Sequence, residues 1–102
     1  MKTNEYTSEM NGHEFSLKKT SPARLQKLDA LSKELAEWNE ENEGFYLYDV
    51  EFRAQFMKKL ADIIVDFKGN GPDEDLWESD ELEVSELVSA RSVFFARAGL
   101  MS

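Results

Sequence analysis

Side chains facing alternate directions mark the first part of the chain, and apolar residues at three- and four-residue steps mark the rest. Asn11-Gly12 is the strongest local signal, because this pair tolerates positive φ at both central positions of a two-residue type I′ turn. A β-hairpin is therefore expected over residues 4–10 and 13–19. In that register Met10 faces His13, Ser8 faces Phe15 and Tyr6 faces Leu17, which gathers the apolar side chains of both strands on one face. Glu9 faces Glu14 on the other side, a like-charge pair that costs roughly a few tenths of a kcal/mol. Two strands are marginal in water, so the apolar face has to pack on the rest of the chain or on another subunit.

Ser21-Pro22 reads as an N-cap followed by proline in the first turn, where its missing N–H is harmless. Leu25, Leu28, Leu31, Leu35 and Trp38 then form a core stripe, and Gly44 supplies the stop, giving a helix over 22–43. The repeat is too short to argue for a coiled coil. Asp49 caps a second helix over 49–68 whose apolar positions are Phe52, Phe56, Leu60, Ile63, Ile64 and Phe67, ended by Gly69-Asn70-Gly71-Pro72. A polar, acidic connection holds Leu76 and Trp77. A third helix over 82–98 carries Val84, Leu87, Val88, Phe94, Phe95 and Ala98, with Gly99 as its stop. The expected fold is α+β and mostly helical, an N-terminal hairpin followed by three helices in one domain of 102 residues.

Composition narrows the chemistry. The chain has no cysteine and one histidine, His13, which excludes disulfide scaffolds, thiolate metal sites, cysteine nucleophiles and multi-imidazole zinc centres. His13 itself reads as a strand residue beside the turn. The first residues lack an apolar run, and Ile63-Ile64-Val65 is far too short to span a bilayer, so a soluble, cytoplasmic protein is expected, without a membrane partner.

Charge is blocked along the chain. The formal total is −9, from 21 acidic and 12 basic side chains, and residues 34–51 hold seven acids and no base. Residues 69–102 hold eight acids and two bases, while 1–33 and 52–68 are each mildly basic. Lys18, Lys19, Arg24 and Lys27 form the one basic cluster, too small to neutralise a phosphate backbone, so no nucleic-acid partner is expected. The cluster reads as a solvated patch or as a contact for an acidic segment.

Candidate sites are few. Asp66, Asn70, Gly71 and Glu74 occupy the first, fifth, sixth and ninth positions of a calcium-loop template. The template fails at its third position, Lys68, and at its twelfth, Trp77, which should supply a bidentate carboxylate. Carboxylates are plentiful, but no pair is marked for acid–base work, and neither catalysis nor a cofactor nor a metal is expected. Phe45, Tyr46 and Tyr48 lie outside any helical stripe, where they either cover the core or form an exposed anchor.

The segment from Glu5-Tyr6-Thr7 through Asn11-Gly12, Phe15-Ser16-Leu17-Lys18 and Ser21-Pro22 to Arg24 resembles the start of tail assembly chaperones of long-tailed bacteriophages. In that family a strand, an Asn-Gly or Gly-Gly turn, a second strand of the form aromatic-x-Leu-basic and a polar cap lead directly into a helix. The small, acidic, helical remainder, with Phe94-Phe95 on a late helix, is also similar. The resemblance implies a non-catalytic protein of the host cytoplasm that binds the aggregation-prone tape measure protein during tail assembly and self-associates. Many such proteins also exist in a longer, frameshifted form.

Two functions are carried forward. One is an assembly chaperone or adaptor, with Tyr6, Phe15, Tyr46, Tyr48 and Trp77 as the contact residues and a homo-oligomeric state. The alternative is a small acidic inhibitor that occupies a basic groove on its partner, in the manner of a nucleic-acid mimic, through Glu78, Asp80, Glu81 and Glu83.

Overall fold

The computed structural model describes residues 6–99, and the expected strand residues 4 and 5 lie outside them. Strands β1 (Thr7–Met10) and β2 (His13–Leu17) form the hairpin, with Ser8 opposite Phe15, Glu9 opposite Glu14 and Met10 opposite His13. Asn11 and Gly12 both take positive φ, 52° and 83°, as a type I′ turn requires. Met10 and Phe15 are buried on one face, while Thr7, Glu9 and Glu14 are exposed on the other.

Helix α1 runs from Pro22 to Asn42, its first turn closed by the Arg24 N–H donating to Ser21 Oγ at 3.2 Å. Its end differs from expectation. The left-handed residue is Glu43, with φ 48°, and Gly44 follows it with an ordinary φ. The Glu43 N–H reaches back to the Asn39 carbonyl at 2.9 Å, while the Asn42 amide covers the Trp38 carbonyl at 2.9 Å. A short 3₁₀ turn, Tyr46–Tyr48, follows. Helix α2 (Val50–Ile64) then begins under the Asp49 cap, whose Oδ1 accepts from the Phe52 N–H at 2.8 Å.

The second helix expected over 49–68 stops at Ile64. Val65–Phe67 instead forms a third strand, β3, antiparallel to β2, so the sheet order is β1-β2-β3. Val65 sits opposite Leu17 and Phe67 opposite Phe15, whose rings meet edge to face at 5.7 Å. The physical reason is twofold. The β-branched run Ile63-Ile64-Val65 is stiff and prefers extended backbone, and the free edge of β2 offers hydrogen bonds that a further helical turn cannot reach. The hairpin thus finds its cover within its own chain.

The acidic connection also holds structure. Helix α3 is a single turn, Glu74–Trp77, with the Leu76 N–H donating to Asp73 Oδ1 at 2.9 Å. Helix α4 spans Val84–Arg97, shorter at both ends than the expected 82–98. α2 lies at the centre, packed by α1, α4, α3 and β3. Its Phe56, Met57, Leu60 and Ile64 meet Met10, Phe15, Leu28, Leu31, Leu87 and Phe94 in one core.

The hairpin turn is clamped to the start of α4. The Asn11 N–H donates to Glu83 Oε1 at 2.7 Å, the Glu83 N–H donates to Asn11 Oδ1 at 2.9 Å, and Asn11 Nδ2 donates to the Glu81 carbonyl at 3.0 Å. Ser8 Oγ adds a bond to Glu86 Oε1 at 2.8 Å. Asn11 therefore serves the left-handed turn and stands in for a helix cap at once. Asn11→Ala should lose both roles, lowering unfolding free energy in urea by about 1–2 kcal/mol.

Candidate functional site

The connection between α1 and α2 gathers the largest aromatic group of the molecule. Trp38 stacks on Phe52 at 4.6 Å, Phe52 on Phe56 at 6.1 Å, and Tyr46 meets Phe56 edge to face at 5.0 Å. Phe45 then leans edge to face on Tyr46 at 5.3 Å and on Tyr48 at 5.5 Å. Burial falls off along this series: Tyr46 is 8% exposed, Phe45 51% and Tyr48 85%, with Val50 at 40%. Phe45, Tyr48 and Val50 are the exposed large apolar side chains among the described residues.

Backbone geometry makes this corner firm. The Tyr48 N–H donates to the Phe45 carbonyl at 3.0 Å and the Asp49 N–H to that of Tyr46 at 3.1 Å. The Arg53 guanidinium, buried beneath, donates to the Leu47 carbonyl at 3.1 Å and the Ser79 carbonyl at 3.0 Å, and pairs with Asp80 at 3.3 Å. One cation thus ties the corner to the connection before α4. Rings held this way lose little conformational freedom on binding, a property of residues that anchor protein interfaces.

The electrostatics are one-sided. Glu34, Glu37, Glu40, Glu41, Glu43, Asp49 and Glu51 are all exposed. Four of these carboxylates crowd the last turns of α1, where the helix dipole is already negative and a cation is the stabilising choice. The first turn of α1 lacks an acid, and Arg24 and Lys27 stand near it instead. The charge arrangement of α1 therefore opposes its own dipole, and its effect is to deepen the negative potential around the exposed rings.

Burial pushes the Tyr46 hydroxyl above its ordinary value of 10.0, and the nearby Arg91 guanidinium pulls in the opposite direction.

The five contact residues expected from the sequence separate. Tyr46 and Tyr48 meet at the corner, through Phe45. Phe15 and Trp77 lie in the core on either side of Phe67, Trp77 meeting that ring edge to face at 6.3 Å. Tyr6 is half-buried against the same core. Phe15, Tyr46 and Trp77 are thus occupied by packing, and the exposed surface belongs to Tyr48, Phe45 and Val50. Phe45 stands out in the sequence only as an aromatic residue off the helical stripe, and Val50 not at all, since their exposure depends on the path of the corner.

The acidic block at 73–86 also divides. Asp73 caps α3, Glu74 holds Lys58 at 2.7 Å, Asp80 pairs with Arg53, and Glu83 and Glu86 hold the hairpin. Asp80 and Glu83, expected as part of a phosphate-like row, are therefore engaged within the fold. In the basic cluster, Lys18 donates to the Asp62 carbonyl at 2.7 Å and Arg24 to that of Lys19 at 2.8 Å. Among the described residues, no group of three or more His, Asp or Glu side chains could hold a metal ion, and no helix is long and apolar enough to cross a membrane.

No protein-family model, curated protein or solved structure matches this chain.

Replacing Glu40 and Glu41 together by glutamine should raise stability by about 0.3–1 kcal/mol, read as a higher urea midpoint at low ionic strength and fading in salt. Tyr46 supplies a second expectation. The folded state holds its hydroxyl proton to higher pH than the unfolded chain. Stability should therefore fall through a window that opens near 10.0 and closes at the higher folded value. Tyr46→Phe should remove that part of the alkaline loss, so the difference in Tm between variant and parent should grow in the variant's favour from pH 9 to pH 11.

Proposed function

We propose that this chain is a non-catalytic phage tail assembly chaperone that binds the tape measure protein while the tail is being built. The observation that carries the reading is the corner between α1 and α2, where aromatic rings stand exposed in a stretch of chain that holds seven acids and no base. Apolar rings exposed at a loss of hydration free energy, beside acids placed against a helix dipole, are better explained by a partner than by the stability of the chain. A partner for this surface is an apolar helical segment flanked by lysine or arginine, which suits a long, aggregation-prone helical protein. The N-terminal hairpin leading through Ser21-Pro22 into a helix agrees with the same family. Self-association belongs to the proposal, as does a cytoplasmic site of action in the host.

The carboxylates of 34–51 also keep a second reading in view, an acidic inhibitor that seats in a basic groove. The two differ in what drives binding. For the chaperone, loss of the rings is the larger effect; for the inhibitor, loss of charge is.

Co-expression of the chain with the tape measure protein of its own gene cluster should give a soluble complex that co-purifies. Tyr48→Ala with Phe45→Ala should weaken it by tenfold or more while changing the urea midpoint little, and raising salt should weaken it only modestly. A soluble tape measure protein that leaves the chain behind would overturn the proposal. Binding abolished by salt and indifferent to the two rings would favour the inhibitor.

A further inference from the structure

The chain carries Asn-Gly twice, at Asn11-Gly12 and at Asn70-Gly71, and the fold treats the two pairs differently. An asparagine before glycine is free to close on itself, because no Cβ keeps the next amide nitrogen from the side-chain carbonyl carbon. Asn39 and Asn42 lack this freedom, since both lie in α1 and precede glutamate. Asn11 is held. Its Oδ1 accepts from the Glu83 N–H at 2.9 Å and its Nδ2 donates to the Glu81 carbonyl at 3.0 Å, so both ends of its carboxamide are fixed on the segment leading into α4. Ring closure there must first break both bonds. Asn70 is free to turn. It is exposed in the turn after β3, between Gly69 at φ 81° and Gly71 at φ 70°. Among the described residues neither the Asn70 carboxamide nor the Gly71 N–H has a hydrogen-bond partner.

We infer that Asn70-Gly71 is a site of covalent modification, where asparagine converts to aspartate and isoaspartate with water as the co-reactant. The Gly71 nitrogen gives its proton to a base in solvent, and its electron pair forms a bond to Asn70 Cγ. The Cγ–Nδ2 bond breaks and that nitrogen takes up a proton and leaves as ammonia, so a succinimide ring remains. Water then adds to one of the two ring carbonyls. Cleavage of the new Cγ–N bond gives aspartate. Cleavage of the bond between the Asn70 backbone carbonyl carbon and the Gly71 nitrogen gives isoaspartate, with the chain running through the former side chain.

Either product adds a negative charge to a chain that already carries −9. Isoaspartate also lengthens the backbone by a methylene immediately before Gly71. That glycine lies so close to β3 that an added Cβ would fall 3.0 Å from Phe67 Cγ. The longer path shifts Gly71 off the Phe67 ring, which itself packs edge to face on Phe15 and on Trp77. The modification thus acts on the strand that closes the sheet. It is independent of the aromatic corner and of the function proposed for it.

The test is mass-spectrometric peptide mapping of the full chain after days in mildly alkaline buffer, with a protein isoaspartyl methyltransferase to mark isoaspartate. In the folded chain the tryptic peptide 69–91 should gain the mass of an NH-to-O exchange at Asn70 and accept methyl groups. Asn11 should convert at least about tenfold more slowly, because its clamp must open first. In guanidinium chloride, where the clamp is gone, the two sites should convert at similar rates. Asn70→Gln should remove methyl acceptance from that peptide and leave the urea midpoint unchanged. Asn70→Asp should keep the parent's midpoint, while the purified isoaspartyl form should fall below it. A folded chain that keeps Asn70 intact while the unfolded chain loses it would overturn the inference. So would equal conversion of Asn11 and Asn70 in the folded state, or an isoaspartyl form as stable as Asn70→Asp.

Discussion

The whole arrangement depends on one pairing, that of β2 with β3. A hairpin of four- and five-residue strands is not stable by itself, and its apolar face needs both a third strand and a layer of helix. β3 supplies the strand without a connecting loop, since Val65 is at once the C-cap of α2 and the first residue of the strand. Helix and strand are thereby fixed in relative direction, and Phe15, Phe67 and Trp77 fill the angle between them. α2 can then act as the shared wall for α1 on one side and α4 on another.

Much of this was legible in the residues. Asn11-Gly12 dictated the hairpin and its register, because a two-residue turn leaves no freedom to slip. Ser21-Pro22 and Asp49 marked helix starts through local hydrogen bonds that need no tertiary information. The end of α2 was not legible, because Leu60, Ile64 and Phe67 continue a helical stripe while Val65 and Phe67 also alternate as a strand does. Eight residues, 60–67, cannot separate the two periods, and only the vacant edge of β2 decides between them. α3 was hidden for a similar reason, its one turn being too short to show a period.

The candidate site was legible in composition but not in detail. An acidic block without a base and a group of aromatics off the helical stripe both pointed to the right stretch of chain. Which rings face solvent depends on the left-handed turn at Glu43 and on Arg53, whose carbonyl partners lie on two separate connections. The roles of Glu83 and Glu86 were likewise beyond a linear reading, for each answers a residue more than seventy positions away. Carboxylates that look alike in sequence thus divide into those that build the fold and those left free to face a partner.

The clamp between Asn11 and Glu83 has a consequence for how the protein is made. The hairpin precedes in the chain both β3, which pairs with its edge, and α4, which packs against β1. Met10 and Phe15 stay exposed until α4 has emerged, and the sheet closes only when sequence-distant contacts form. The strand pair is uncovered over that interval, and the charge of Glu9 opposite Glu14, mildly unfavourable in the finished sheet, disfavours pairing between two such uncovered hairpins.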